Sequence, residues 1–99
     1  MFMKVISVRE YCKATKVASV ATTVRENSNG YPFVTFINGN NEATNVYFSK
    51  EGAKHYTLGE SIGKGFFDKL QVAYVTNEEG EERIKLITNS ERISIDDIL

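Results

Sequence analysis

The chain has little of what enzymes, secreted domains and membrane proteins usually depend on. Of its 99 residues one is cysteine, one is histidine, one is proline and none is tryptophan. With Cys12 alone, an internal disulfide is excluded, which fits a reducing compartment and leads to the expectation of a cytoplasmic protein. Single copies of Cys12 and His55 exclude a zinc cluster within one chain, and no cofactor is expected. Neither residue sits in a nucleophile motif, and a lone cysteine ordinarily serves as a small hydrophobe. Long apolar runs are missing, so no transmembrane helix and no membrane partner are expected. The opening "MFMKVISVRE" carries Lys4, Arg9 and Glu10 where a signal peptide would be uninterruptedly apolar. "GESIGKG" has glycines and a lysine, but neither the spacing nor the following hydroxyl of a phosphate loop. Without a polar constellation suited to acid–base or covalent work, the expectation is a protein that is not an enzyme.

What is present is a globular composition, 41% hydrophobic and 25% charged, which argues against disorder. The length suits one domain, residues 1–99, with residues 90–99 a candidate acidic interaction tip. Net charge is −1, unevenly spread. The first 25 residues carry Lys4, Arg9, Lys13, Lys16 and Arg25 against Glu10 alone, whereas residues 78–99 carry seven carboxylates against Arg83, Lys85 and Arg92. A basic front with an acidic end suits a protein whose binding face is positive and whose tail is negative, and it equally suits plain solvated surface.

Period-two alternation is the strongest pattern. "KVASVATTVRE" (Lys16–Glu26), "YPFVTFIN" (Tyr31–Asn38), "ATNVYFSK" (Ala43–Lys50), "KLQVAYVT" (Lys69–Thr76) and "RIKLIT" (Arg83–Thr88) read as strands. "NSNG", "GNNE" and "NEEGEE" are the turns between them. "SKEGAKHY" offers one helical turn with Ser49 as its N-cap, and "TLGESIGKGFF" a glycine-punctuated bend. "MKVISV" is a candidate extra strand, and "VREYCKA" a short helix or an irregular link. The expected class is mainly β, a small five-stranded OB-like barrel or curved antiparallel sheet with one short helix.

Aromatics interleaved with bases are the richest chemical signal. If Val46 and Phe48 point inward, Tyr47 points out beside Asn45 and Ser49; if Phe33 and Ile37 point inward, Phe36 points out with Val34. An outward aromatic on a strand is a stacking platform for a nucleobase when bases line the same groove. The predicted nucleic-acid-binding set is Arg25, Tyr31, Phe36, Tyr47, Lys50, Lys64, Phe66, Tyr74 and Lys85. The alternative for each ring is ordinary strand packing.

From Lys16 to Thr88 the order of strands, with "NGYPFVTFIN", "NVYFSKEGAKHY" and the apolar-x-Gly-acid pattern of "LGESI", resembles single-stranded-DNA-binding proteins of the bacterial and phage OB-fold type. The resemblance implies a sequence-tolerant partner of single-stranded DNA (or RNA), a homo-oligomer, and a setting in a bacterial or phage-infected cell, in DNA replication. In that family the chain finishes on acidic residues and an apolar tip, D-D-I-P-F in the common form, that docks other proteins. Here Asp96, Asp97, Ile98 and Leu99 stand at the matching place, without the proline, the terminal phenylalanine or a long linker. The segment is therefore either a partner hook or a last turn packed on the domain. A PC4-like dimer of curved sheets, which also grips single strands, is disfavoured because its helix follows the strands. A rival from another class is a small β-rich protein–protein interaction module, a phage structural protein or host inhibitor, with the aromatics as interface anchors.

Overall fold

Alternation becomes strand across the chain, and the strands join in one curled sheet. A computed structural model describes residues 2–54, 59–63 and 65–88. In chain order these form β1 (Phe2–Ser7), α1 (Val8–Ala14), β2 (Val17–Val20), β3 (Arg25–Glu26), β4 (Pro32–Asn38), β5 (Ala43–Phe48), α2 (Lys50–Ala53), a 3-10 turn (Phe66–Lys69), β6 (Leu70–Thr76) and β7 (Glu82–Thr88). The sheet order is β1-β6-β7-β5-β4-β2, with β3 also paired to β4. The mainly β class and OB-like curl are as expected, but the described strands number seven rather than five.

Two causes account for the difference. All of "MKVISV" but its last residue, Val8, pairs antiparallel with β6, so this segment adds a strand at the sheet edge. The segment Lys16–Glu26 does not run as one strand. A bulge between Val17 and Ser19 interrupts its pairing with β4, and its middle turns to the glycine-rich loop instead. There Val24 N–H donates to Glu60 O, Gly59 N–H to Val24 O and Ile62 N–H to Thr22 O. Only Arg25 and Glu26 then return to β4. The sheet is also mixed: β5 and β7 run parallel, through Tyr47↔Lys85 and Phe48↔Leu86. A parallel pair needs a long connection rather than a hairpin, and here α2, the glycine-rich loop and β6 itself lie between the two strands in the chain.

"VREYCKA" is a helix. Ser7 Oγ accepts from Glu10 N–H at 3.0 Å and donates to Glu10 Oε1 at 3.2 Å. This serine–glutamate exchange satisfies donors that the first helical turn leaves open, worth about 1 kcal/mol. The helix turns Val8 and Tyr11 onto one face of the sheet. On that face lie Val34, Phe36, Val46, Phe48, Val72 and Leu86, all nearly sealed from water. Ser49 caps α2 as expected, its Oγ accepting from Gly52 N–H at 3.0 Å. The strand side chains of opposite parity form a second, reverse face, away from α1.

Candidate nucleic-acid interface

Antiparallel and parallel pairings carry one residue from each of six strands into a single row on the reverse face. Arg25 lies opposite Phe33, Phe33 opposite Tyr47, Tyr47 opposite Lys85, Lys85 opposite Ala73, and Ala73 opposite Val5. The first four touch in sequence. The Arg25 guanidinium lies 5.3 Å from the Phe33 ring centroid, the Phe33 and Tyr47 centroids are 5.2 Å apart, and the Lys85 ammonium stands 5.5 Å from the Tyr47 centroid. Two rings are thus bracketed by two cations. Each cation–ring approach is worth about 0.5–1 kcal/mol at an exposed site and holds the long side chains over the rings.

A polar row runs beside the rings. Arg25 Nη2–H donates to Thr35 Oγ1 at 2.7 Å, and the Thr35 hydroxyl donates to Asn45 Oδ1 at 2.7 Å. Arg25 is therefore held twice, by a ring and by a hydroxyl. Thr35 is buried and Asn45 exposed.

The charge of this face differs from that of the whole chain. Its described strand positions include Arg25, Arg83 and Lys85 and no carboxylate. Burial, with help from neighbouring Arg83, holds the Lys85 ammonium below its ordinary value of 10.5. The acidic residues Glu78, Glu79 and Glu81 are confined to an exposed hairpin turn, where Asn77 Oδ1 accepts from the amides of Glu79 and Glu81.

Of the predicted set, Arg25, Tyr47 and Lys85 come together. Tyr31, 62% exposed, stands in the turn leading into β4. Lys50 is exposed at the start of α2, off the row. Lys64 and the tip Asp96–Leu99 lie outside the described residues. One prediction is corrected, and two further rings stand apart from the row. Phe36 is 1% exposed and belongs to the core, packed edge-on against Tyr11 at 5.2 Å. Tyr74 faces the α1 side, 6.2 Å from Tyr11, and Phe66 packs on Phe67 at 5.0 Å, which in turn packs on Phe36 at 5.7 Å. Phe36 and Tyr11 lie in the core, and Phe66, Phe67 and Tyr74 pack half-buried against it, on the side of the sheet away from the row or off the strands. Burial holds the Tyr11 and Tyr74 phenols above the usual range.

The residue that parity reasoning left on the wrong side is Phe33. The hairpin closed by Asn38 N–H to Glu42 O carries Tyr47 onto Phe33 and Val46 onto Val34, so the outward parity of β5 dictates that of β4.

Elsewhere, a cleft beside α1 is lined by Val8, Arg9, Cys12, Phe67 and Asp68. Burial raises the Cys12 thiol, which works against its use as a nucleophile. Among the described residues no group of three His, Cys, Asp or Glu is placed to hold a metal, and no helix is long and apolar enough to cross a membrane. Comparison with protein-family models, curated proteins and solved structures finds no match.

Proposed function

We propose that the chain binds single-stranded nucleic acid, most simply DNA, on the reverse face, without catalysing a reaction. The observation that carries this reading is the row Arg25–Phe33–Tyr47–Lys85, an aromatic pair between two cations on a face whose described strand positions carry no carboxylate. Tyr47 is the stacking platform, with Phe33 as the ring that supports it from behind; Phe33 itself is only 8% exposed. Arg25, Lys85 and Arg83 neutralise phosphates on either side. Stacking accepts any base, which suits a sequence-tolerant binder. In OB-like barrels oligonucleotides lie across the second and third strands, the places taken here by β4 and β5. Tyr31, at the turn entering β4, is positioned to add a second ring beyond the row. In the same reading the chain assembles as a homo-oligomer, and Asp96, Asp97, Ile98 and Leu99 serve as a hook for a protein partner.

The test is an anisotropy titration of a labelled dT oligonucleotide at 50 mM and 200 mM salt. Three cations on phosphates of a single strand give a slope of log K against log salt of about −2, a loss of about twentyfold across that range. Absence of binding at the lower salt would sink the reading. The alternative of a protein partner then gains, because Met3 and Val5, 42% and 37% exposed, sit at the far end of the same face.

A further inference from the structure

We infer that Asn45 reads the edge of the base stacked on Tyr47 and biases the site toward cytosine over thymine and adenine. The inference rests on the stacking reading above and adds a base preference to it.

The direction of the polar row fixes which atoms Asn45 presents. A guanidinium has donors only, so at 2.7 Å Arg25 must donate to Thr35 Oγ1. The single Thr35 hydroxyl proton then goes to the amide of Asn45, also at 2.7 Å, and the atom receiving it is the oxygen. Reversing the amide would set its NH2 against Thr35 Oγ1 and deprive the hydroxyl proton of that acceptor. Thr35 is only 5% exposed, so water does not replace it, and an unmet buried donor is costly. The relay therefore turns Asn45 Nδ2, with two N–H groups, toward the exposed side of β5.

Asn45 and Tyr47 share a face of one strand two positions apart, so the amide stands beside the ring that would carry the base. The Lys85 ammonium stands over the same ring, 5.5 Å from its centroid. The two side chains that flank the ring, Asn45 through Nδ2 and Lys85 through its ammonium, both offer donors to a base placed there. A base fits such a border best when its pairing edge offers neighbouring acceptors. Cytosine does, with N3 and O2 side by side. Thymine sets an N–H between its carbonyls, and adenine has N1 alone between its amino group and C2–H, so neither offers the two adjacent acceptors that cytosine keeps despite its own amino group beside N3. Arg25 extends the device: by holding Thr35 it holds the amide, without touching the base.

The experiment compares dC, dT and dA oligonucleotides of equal length by anisotropy at low salt, with the wild type, Asn45→Ala and Thr35→Val. Discrimination by a good pair of base-edge hydrogen bonds implies that dC binds about fivefold or more tighter than dT. Asn45→Ala brings that ratio to about one. Thr35→Val, which keeps the shape of the side chain but frees the amide to turn over, lowers the ratio in the same direction. Circular dichroism confirms that both variants keep the wild-type sheet. Equal binding of dC and dT by the wild type, or a ratio that Asn45→Ala leaves intact, overturns the inference while the stacking reading stands. No binding of any oligonucleotide overturns both.

Discussion

Replacing Tyr47 by alanine separates a binding role from a packing role, because on the proposed reading the half-exposed ring matters more to recognition than to stability. Its ring lies 5.2 Å from Phe33 and 5.5 Å from the Lys85 ammonium. The aromatic pair contributes about 0.5–1.5 kcal/mol beyond burial. The cation–ring approach contributes about 0.5–1 kcal/mol. These two contacts account for about 1–2.5 kcal/mol of folding stability, and the burial of a half-exposed ring adds to it, a total that a domain of ordinary stability survives. Loss of one stacked base costs about 1–3 kcal/mol of binding, a fall of about 5- to 150-fold in affinity. The measurement pairs an oligonucleotide titration with urea melts on the wild type, Tyr47→Ala, Tyr47→Phe and Tyr47→Leu. Phenylalanine keeps the π-face and retains binding; leucine keeps apolar bulk without it and loses binding about as alanine does. A folded Tyr47→Leu that binds like the wild type would refute the platform, whatever the other variants do.

Phe36→Ala should act in the opposite sense: a fully buried ring in contact with Tyr11 and Phe67 costs about 3–5 kcal/mol on truncation, read as a fall in the urea midpoint. Any residual folded protein should bind with near wild-type affinity, since that ring faces the other side of the sheet. Lys85→Met should raise Tm at neutral pH while weakening binding, because the folded chain holds this ammonium at a cost. With the folded pKa below the ordinary 10.5, the unfolded chain binds more protons between the two values, so the wild type gains stability as pH rises through that window. The Tm advantage of Lys85→Met should shrink there; an advantage that grows with pH would contradict the burial of Lys85.

Much of the architecture is legible in the sequence because four of the five segments read as strands form unbroken strands, and the fifth, Lys16–Glu26, still supplies two. The turns "NSNG", "GNNE" and "NEEGEE" mark where the chain reverses. What alternation cannot give is which strands become neighbours across long separations. The edge pairing of β1 with β6 and the parallel meeting of β5 with β7 depend on tertiary packing rather than on any local pattern. The division of Lys16–Glu26 has the same origin, since the bonds that split it come from Gly59, Glu60 and Ile62.

At the site, Arg25, Tyr47 and Lys85 are recognisable as a basic and aromatic group, but Phe36 and Phe33 are exchanged. "PFVTFI" is apolar on both parities, so its own pattern gives no side. The polar match of Thr35 with Asn45 across the hairpin does give one, and it was available from the turn alone. Tyr74 and Phe66 stand apart from the row, half-buried beside Tyr11 and Phe67 respectively, an arrangement that depends on where α1 and the 3-10 turn pack. The cap at Ser7 is visible as a serine three residues ahead of Glu10.

The parallel meeting of β5 and β7 has a mechanical consequence. It is two residue pairs long, against seven between β6 and β7 and five between β4 and β5. The sheet is thus two well-laced panels joined by a narrow seam, and the row Arg25–Phe33–Tyr47–Lys85 crosses that seam. A strand of nucleic acid lying along the row would rest on both panels and act as a splint. Opening of the seam, followed by hydrogen exchange at the amides of Tyr47, Phe48 and Leu86, would then slow on binding more than exchange within either panel.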